Sequence, residues 1–301
     1  MFSNRTDLAM ESLGAQNSFP GVDVHRWEES DIQLSEVVIR TQEAAQSLDK
    51  PCGTYLTLEC ALLREHDPDA RIAMANLLGA ELSRLLAPSE GAPVLVVGLG
   101  NRGVTPDSLG PAAIDKTLVT RHMLSSEYAR SGMRSVCAIA PGVLGVTGVE
   151  TVEMVESLAE KLHPHAIVCI DSLAARDSAR IGCTVQISNT GIQPGSGVGN
   201  HRRPLTRESL GVDVIAVGVP TVIYAATLAR DAFALLAGDM QKDEALGAME
   251  RELRDTDLGN LIVTPRDIDA IVKNCATLIA GGINRALQPN LTAAEIAEMM
   301  D

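Results

Sequence analysis

From Pro93 onward the chain is a series of short apolar runs, PVLVVGLG, SVCAIAPG, AIVCID, TVQIS and DVIAVGVP, each closed by glycine, proline or a polar turn. Strands read as lacking apolar/polar alternation are buried on both faces, as in a parallel sheet covered by helices. The intervening segments supply those helices. Around residues 150–162, Val152, Val155, Leu158 and Leu162 fall on one stripe. The segment after Pro220, TVIYAATLARDAFALL, is apolar nearly all round and is expected to be deeply packed. A further helix is predicted to start at Thr264 as cap, with Pro265 in the first position and Asp267 at the positive end of the dipole. Its stripe of Ile268, Ile271, Val272, Cys275, Leu278 and Ile279 is expected to stop near Gly281 and Gly282. The resulting expectation is an α/β fold with a mostly parallel central sheet over about residues 93–220 and helices over about 221–301.

Upstream, residues 1 to about 35 are polar, lack a helical period and read as an arm or a processed leader. SEVVIRT and GTYLTLE are β-like, and a helix over about 69–86 places Met74, Leu78, Leu82 and Leu85 on one face. These elements predict a small extra β layer flanking the main sheet. The acidic stretch 238–257 reads as a solvated helix or a surface excursion.

Composition narrows the functions. A length of 301 residues with 46% apolar content supports a sizeable core, and a net charge of −14 removes the driving force for binding phosphate backbones. Trp27, three Tyr and three Phe are too few for base-stacking platforms, so nucleic acid is not an expected partner. Cys52, Cys60, Cys137, Cys169, Cys183 and Cys275 form no CxxC and are expected to be buried thiols of a reducing compartment. No signal-peptide core or membrane span is evident, which predicts a cytoplasmic protein.

VVGLGNRG places Gly98, Gly100 and Gly103 at GxGxxG spacing after a strand. Val104, Thr105 and Pro106 follow, and Gly110 with Pro111 delays the helix, so no helix amino terminus stands where a pyrophosphate needs it. No cofactor is expected. No HExxH exists, the EHD at 65–67 has no partner cluster, and His163 and His165 flank a proline at a helix end, so no metal is expected either. Ser196 lies in PGSGVG rather than in a GxSxG elbow.

Two carboxylates remain where open α/β sheets hold ligands. Asp107 lies in the loop after the first core strand and Asp171 ends AIVCID, so both project at the carboxyl edge of the sheet. If they converge, they share one proton and are able to deprotonate a water while protonating a leaving amine. Alternatively, Asp107 caps the next helix and Asp171 only holds a loop. The loop with Gly191, Gly195, Gly197 and Gly199, followed by Arg202 and Arg203, reads either as a tight connection or as a peptide-binding loop whose arginines, with Arg102, meet substrate acids. APGVLGVTGVET is a similar loop that walls the same crevice.

The runs RTDLAMES, GTYLTLE, VVGLGNRGVTPDSLGP, LVTRH, APGVLGVTGVET, IDSLAAR, QISNTGIQPGSGVGN, VIAVGVPTVI and LIVTPRDID, in this order from Arg5 to about Ala286, strongly resemble the germination protease (spore protease) family of endospore-forming bacteria. The resemblance implies an endopeptidase that degrades small acid-soluble spore proteins early in germination, as a homotetramer in the spore core, with a fold similar to that of hydrogenase-maturation proteases. It implies catalytic aspartates in TPDxLGP and IDxLAAR, here Asp107 and Asp171. It also implies a precursor that clips itself where an acid is followed by an apolar residue, Ala, any residue and Glu. Asp7, Leu8, Ala9, Met10 and Glu11 fit, which makes residues 1–7 a propeptide and 8–301 a single peptidase domain. The leader is shorter than the family's usual one, and Asn189 stands where Asp is common. The rival readings are a Rossmann-like dinucleotide binder and a hydrogenase-maturation-type protease dependent on a substrate-bound metal.

Overall fold

A computed structural model describes residues 6–14, 18–86, 91–126, 129–194, 203–236, 252, 256–259 and 261–300. In chain order its helices are α1 (Ala9–Leu13), α2 (Gln42–Leu48), α3 (Pro68–Leu85), α4 (Leu109–Ile114), α5 (Leu144–Thr147), α6 (Thr151–Leu162), α7 (Arg207–Leu210), α8 (Ala225–Leu236), α9 (Ile268–Leu287) and α10 (Ala293–Glu298). The strands are β1 (Val22–Glu29), β2 (Ile32–Ile39), β3 (Gly53–Glu59), β4 (Val94–Gly98), β5 (Val136–Ile139), β6 (Ala166–Ala175), β7 (Thr184–Ser188), β8 (Asp213–Tyr224) and β9 (Ile262–Val263).

All nine strands belong to one sheet in the order β1-β2-β3-β7-β8-β6-β4-β5, with β9 added to the end of β8. Only β5, β4, β6 and β8 run parallel; β7 is antiparallel to β8, and β3, β2 and β1 continue antiparallel from it. The sheet is therefore mixed rather than mostly parallel. The amino-terminal strands are not an extra layer, because β3 pairs with β7 and extends the central sheet. The reason lies in TVQIS. Val185 and Ile187 enter the main core while Thr184, Gln186 and Ser188 face the other way, the alternation of an antiparallel strand. The β1–β2 hairpin, inside the stretch read as an arm, turns at Ser30 and Asp31, both at positive φ.

The main core lies between the sheet and the α3–α9 pair, with Met74, Leu78 and Leu82 of α3 at full burial and Leu85 only partly covered. The opposite face carries α6, where Val152 and Val155 meet Leu95, Val97 and Cys169. Asp67 caps α3, its carboxylate accepting the Asp69 and Ala70 amides. Helix α9 departs from expectation at both ends. It begins at Ile268 because the Thr264 hydroxyl donates to the Thr221 carbonyl instead of capping. It runs through Gly281 and Gly282 because these are contact residues: a Cβ on Gly282 would lie 2.7 Å from the Leu78 side chain, and one on Gly79 would lie 3.0 Å from the Gly282 carbonyl. A Gly282→Val change should therefore cost about 2 kcal/mol through overpacking, read as a lower urea midpoint at unchanged slope.

The segment after Pro220 is deeply packed only through Tyr224; α8 leaves Leu228 and Phe233 exposed. Most of the stretch 238–257 lies outside the described residues. Among the described residues no helix is long and apolar enough to cross a membrane.

Candidate active site

Strand β4 ends at Gly98, paired with Ile170 of β6, and the Leu99 amide donates to the Ile170 carbonyl at 2.8 Å. Asp171 is the next residue of β6. The chain beyond β4 makes a loop that closes on a 3-10 turn over Thr105–Asp107, and this turn packs against α9, β6 and β8. Asp107 therefore follows the carboxyl end of β4, and Asp171 lies one residue beyond the level of that end, inside β6, which continues to Ala175.

Asp107 does not cap α4; Ser108 holds that position, without a side-chain cap. The Asp107 carboxylate accepts the Asn101 amide at 2.9 Å, and the same amide reaches the Asp107 carbonyl at 2.9 Å. Gly100 makes this possible. Its φ is +110°, and a Cβ there would lie 2.0 Å from the Asp107 carbonyl oxygen. Gly98 is likewise a contact residue, with a Cβ position 2.4 Å from the Gly110 carbonyl. The glycines of the GxGxxG run thus let the loop and α4 close onto the strand, and α4 begins only at Leu109.

Asp171 is 6% exposed, and its carboxylate accepts the Ser172 amide at 2.9 Å. It shares a register row with Gly218 of β8 and Gln186 of β7, all directed to the α6 side of the sheet. Burial pushes the Cys169 thiol up, with the Asp171 charge adding to the effect, and burial also pushes Cys275 up to about 12. Burial raises Cys137 and Cys183 too, so none of these four thiols is a ready thiolate.

The remaining predicted residues divide. Gly195, Ser196, Gly197, Gly199 and Arg202 lie outside the described residues; Arg203 is exposed. Ile192 pairs with Leu205 and both pack on the α6 side, so the flanks of this loop are fixed on the Asp171 face. Arg102 is not available to a substrate acid in this conformation: it holds Asp115 through two bonds of 2.6 and 2.8 Å, which lower the Asp115 pKa. The α5 loop leaves Leu144, Val146 and Val149 exposed after β5. Asn189 accepts the Thr54 amide at 2.9 Å, a β3–β7 link. Among the described residues no group of three or more His, Cys, Asp or Glu is placed to hold a metal. A cavity of about 370 Å³ lies between α3, the start of α9 and the Ser178 loop, and neither aspartate lines it.

Asp7 and Leu8 are held against the carboxyl end of the sheet. Asp7 donates its amide to the Ala174 carbonyl at 2.9 Å and accepts the Ala174 amide on its carboxylate at 2.8 Å. Leu8 is fully buried among Leu173, Ala175, Ile181 and Ile223. The residues that sequence reasoning missed are Gln186, which touches both sides of the Asp7–Leu8 unit, and Arg180, which faces Glu11. The polar alternation of β7 is the signal that would have pointed to Gln186.

Residues 4–257 match the family model for germination protease. The chain belongs to the germination protease family. Germination proteases of Clostridium perfringens strain 13 and of Caldanaerobacter subterraneus subsp. tengcongensis are each 41% identical to it, over 100% and 98% of both chains respectively. That of Priestia megaterium is 37% identical, over 95% of this chain and 94% of its own. The family comprises aspartate-dependent endopeptidases of spore-forming bacteria.

Proposed function

We propose that this chain is a self-processing endopeptidase that degrades small acid-soluble spore proteins during germination, and that Asp107 and Asp171 activate the attacking water between them. The observation that supports this reading is that Asp171 lies just beyond the level at which β4 ends and the Asp107 loop begins, with the candidate leader bond docked on Ala174 further along the same strand. One carboxylate takes the water's proton as it attacks the scissile carbonyl. The other donates a proton to the departing amide nitrogen, so that proton count and charge balance over the cycle. The cut falls between Asp7 and Leu8, releasing residues 1–7 and leaving 8–301 as one peptidase domain. Gly195, Gly197 and Gly199, with Arg202 and Arg203, bind the substrate chain; the support is their backbone freedom and charge in an acidic protein, and flanks fixed on the Asp171 face. The parallel part of the sheet supports a fold like that of hydrogenase-maturation proteases. Family membership supports a homotetramer acting in the spore core, without nucleic acid or membrane as partners.

Cleavage of a small acid-soluble spore protein by the purified, processed enzyme tests this reading. Turnover should survive both a chelator and alkylation by iodoacetamide at neutral pH. Loss with the alkylating agent would establish a thiol route instead, and loss with the chelator would establish a metal-dependent one.

A further inference from the structure

Residues 6–11 are gripped at every position that has a recognisable chemistry. The Asp7 carboxylate sits on the Ala174 amide and Leu8 fills an apolar hole. Ala9 is 1% exposed. The Glu11 carboxylate accepts the Arg176 amide at 2.7 Å, the Asp177 amide at 3.0 Å and the Thr6 hydroxyl, while Arg180 Nε stands 3.7 Å away. Arg180 is placed there by a short turn that Asp177 caps through the Ala179 amide. Its Nε and Nη1 are buried without a hydrogen-bond partner among the described residues, between Glu11 and Glu59 at 3.7 and 3.6 Å. A buried guanidinium in this condition is poised for a carboxylate that moves slightly closer.

The side-chain amide of Gln186 is the second half of the seat. Its Oε1 accepts the Ala9 amide at 2.8 Å and its Nε2 donates to the Asp7 carbonyl at 3.0 Å. The two bonds fix the orientation of the amide, since only one nitrogen and one oxygen are available for them. The Asp7 carbonyl belongs to the bond proposed to be cut. Gln186 also lies two strands from Asp171 in the same register row, about 10 Å between backbones. The intervening Gly218 has no side chain of its own, and Leu173 leans over it.

We propose that the seat of residues 6–11 is the enzyme's substrate groove, in which Gln186 holds the carbonyl of the scissile bond and Arg180, with the Arg176 and Asp177 amides, reads an acidic side chain four residues beyond it. The inference rests on the reading that the chain cuts itself between Asp7 and Leu8. It gives the acid-reading role at that position to Arg180 instead of Arg202 and Arg203. It also makes the chain's own residues 6–11 competitors of every substrate, so that residues 8–11, which stay on the processed chain, have to leave the seat before a substrate enters. Gln186 acts as a neutral donor that strengthens its bond as charge develops on the carbonyl oxygen.

The test uses two substrates that differ only by Glu or Gln at the fourth position after the cut. The wild-type processed enzyme should prefer Glu by about tenfold in kcat/KM, the worth of a largely desolvated, charge-assisted hydrogen bond. In Arg180→Gln that ratio should fall to about one; general damage to the fold would lower both rates and leave the ratio. Gln186→Met should lower kcat about a hundredfold and keep the ratio. With wild-type enzyme alone, an unlabelled peptide of residues 6–13 should compete with substrate about tenfold less well when it carries Glu11→Gln. An unchanged ratio in Arg180→Gln, unchanged kcat in Gln186→Met, or equal competition by the two peptides would overturn the inference. Intact mass separates this from failure of the underlying reading: a cut elsewhere than Asp7–Leu8 removes both, whereas the expected cut with an unchanged ratio removes the groove assignment alone.

Discussion

Asp171→Asn protein should fold normally and lose turnover of spore-protein substrate by about four orders of magnitude or more, the scale seen when one member of a concerted catalytic group is removed. The change keeps the shape of the side chain and an oxygen to accept the Ser172 amide. It removes a carboxylate from a position only 6% exposed. The melting temperature should stay level or rise, as expected where a group is retained for chemistry at some cost to stability. Stopped-time cleavage assays and thermal unfolding on the same preparation check both halves. Asp107→Asn should lose activity to a similar extent.

Gly100→Ala should produce the second large effect, and by a different route. The substituted residue would have to hold a φ of +110°, and its Cβ would lie 2.0 Å from the Asp107 carbonyl and 3.0 Å from its carboxylate. Backbone strain and overpacking together cost about 3 kcal/mol. The turn over Thr105–Asp107 has to move outward, which breaks the double hold of the Asn101 amide. A displacement near 1 Å of a reacting group lowers turnover about a hundredfold. Urea titration should show the stability loss, and kcat should fall although both aspartates are present. The matched control is Gly148→Ala, where a Cβ has open space but φ is +72°; it should cost about 1 kcal/mol of stability by backbone strain.

The strands of the central sheet were legible because uninterrupted apolar runs leave few alternatives, and β4, β5, β6 and β8 form its parallel part. Strand direction was less so. TVQIS reads as another apolar run until its alternation is taken seriously, and that alternation separates a parallel strand from the antiparallel β7. The β1–β2 hairpin was hidden because Ser30 and Asp31 turn it without the Asn-Gly signal, and because most of β1 is exposed and therefore polar. The glycines of α9 look like a stop in one dimension. Only the approach of α3 shows why a helix tolerates them there, at a cost of about 1 kcal/mol each relative to alanine. In the site, the sequence places Asp107 in the loop after β4, where it lies, whereas Asp171 was read as ending its strand and instead sits inside β6, because the apolar run resumes in LAA after Ser172. Gln186 and Arg180 were not, because their importance depends on a register row and a turn that bring them to a segment far away in sequence.

The most direct measurement is the intact mass of the purified full-length chain before and after incubation, alongside the Asp107→Asn and Asp171→Asn variants. The wild type should lose the mass of MFSNRTD, and both variants should keep it. Release of that segment by either folded variant at the wild-type rate would contradict a water-activating aspartate pair.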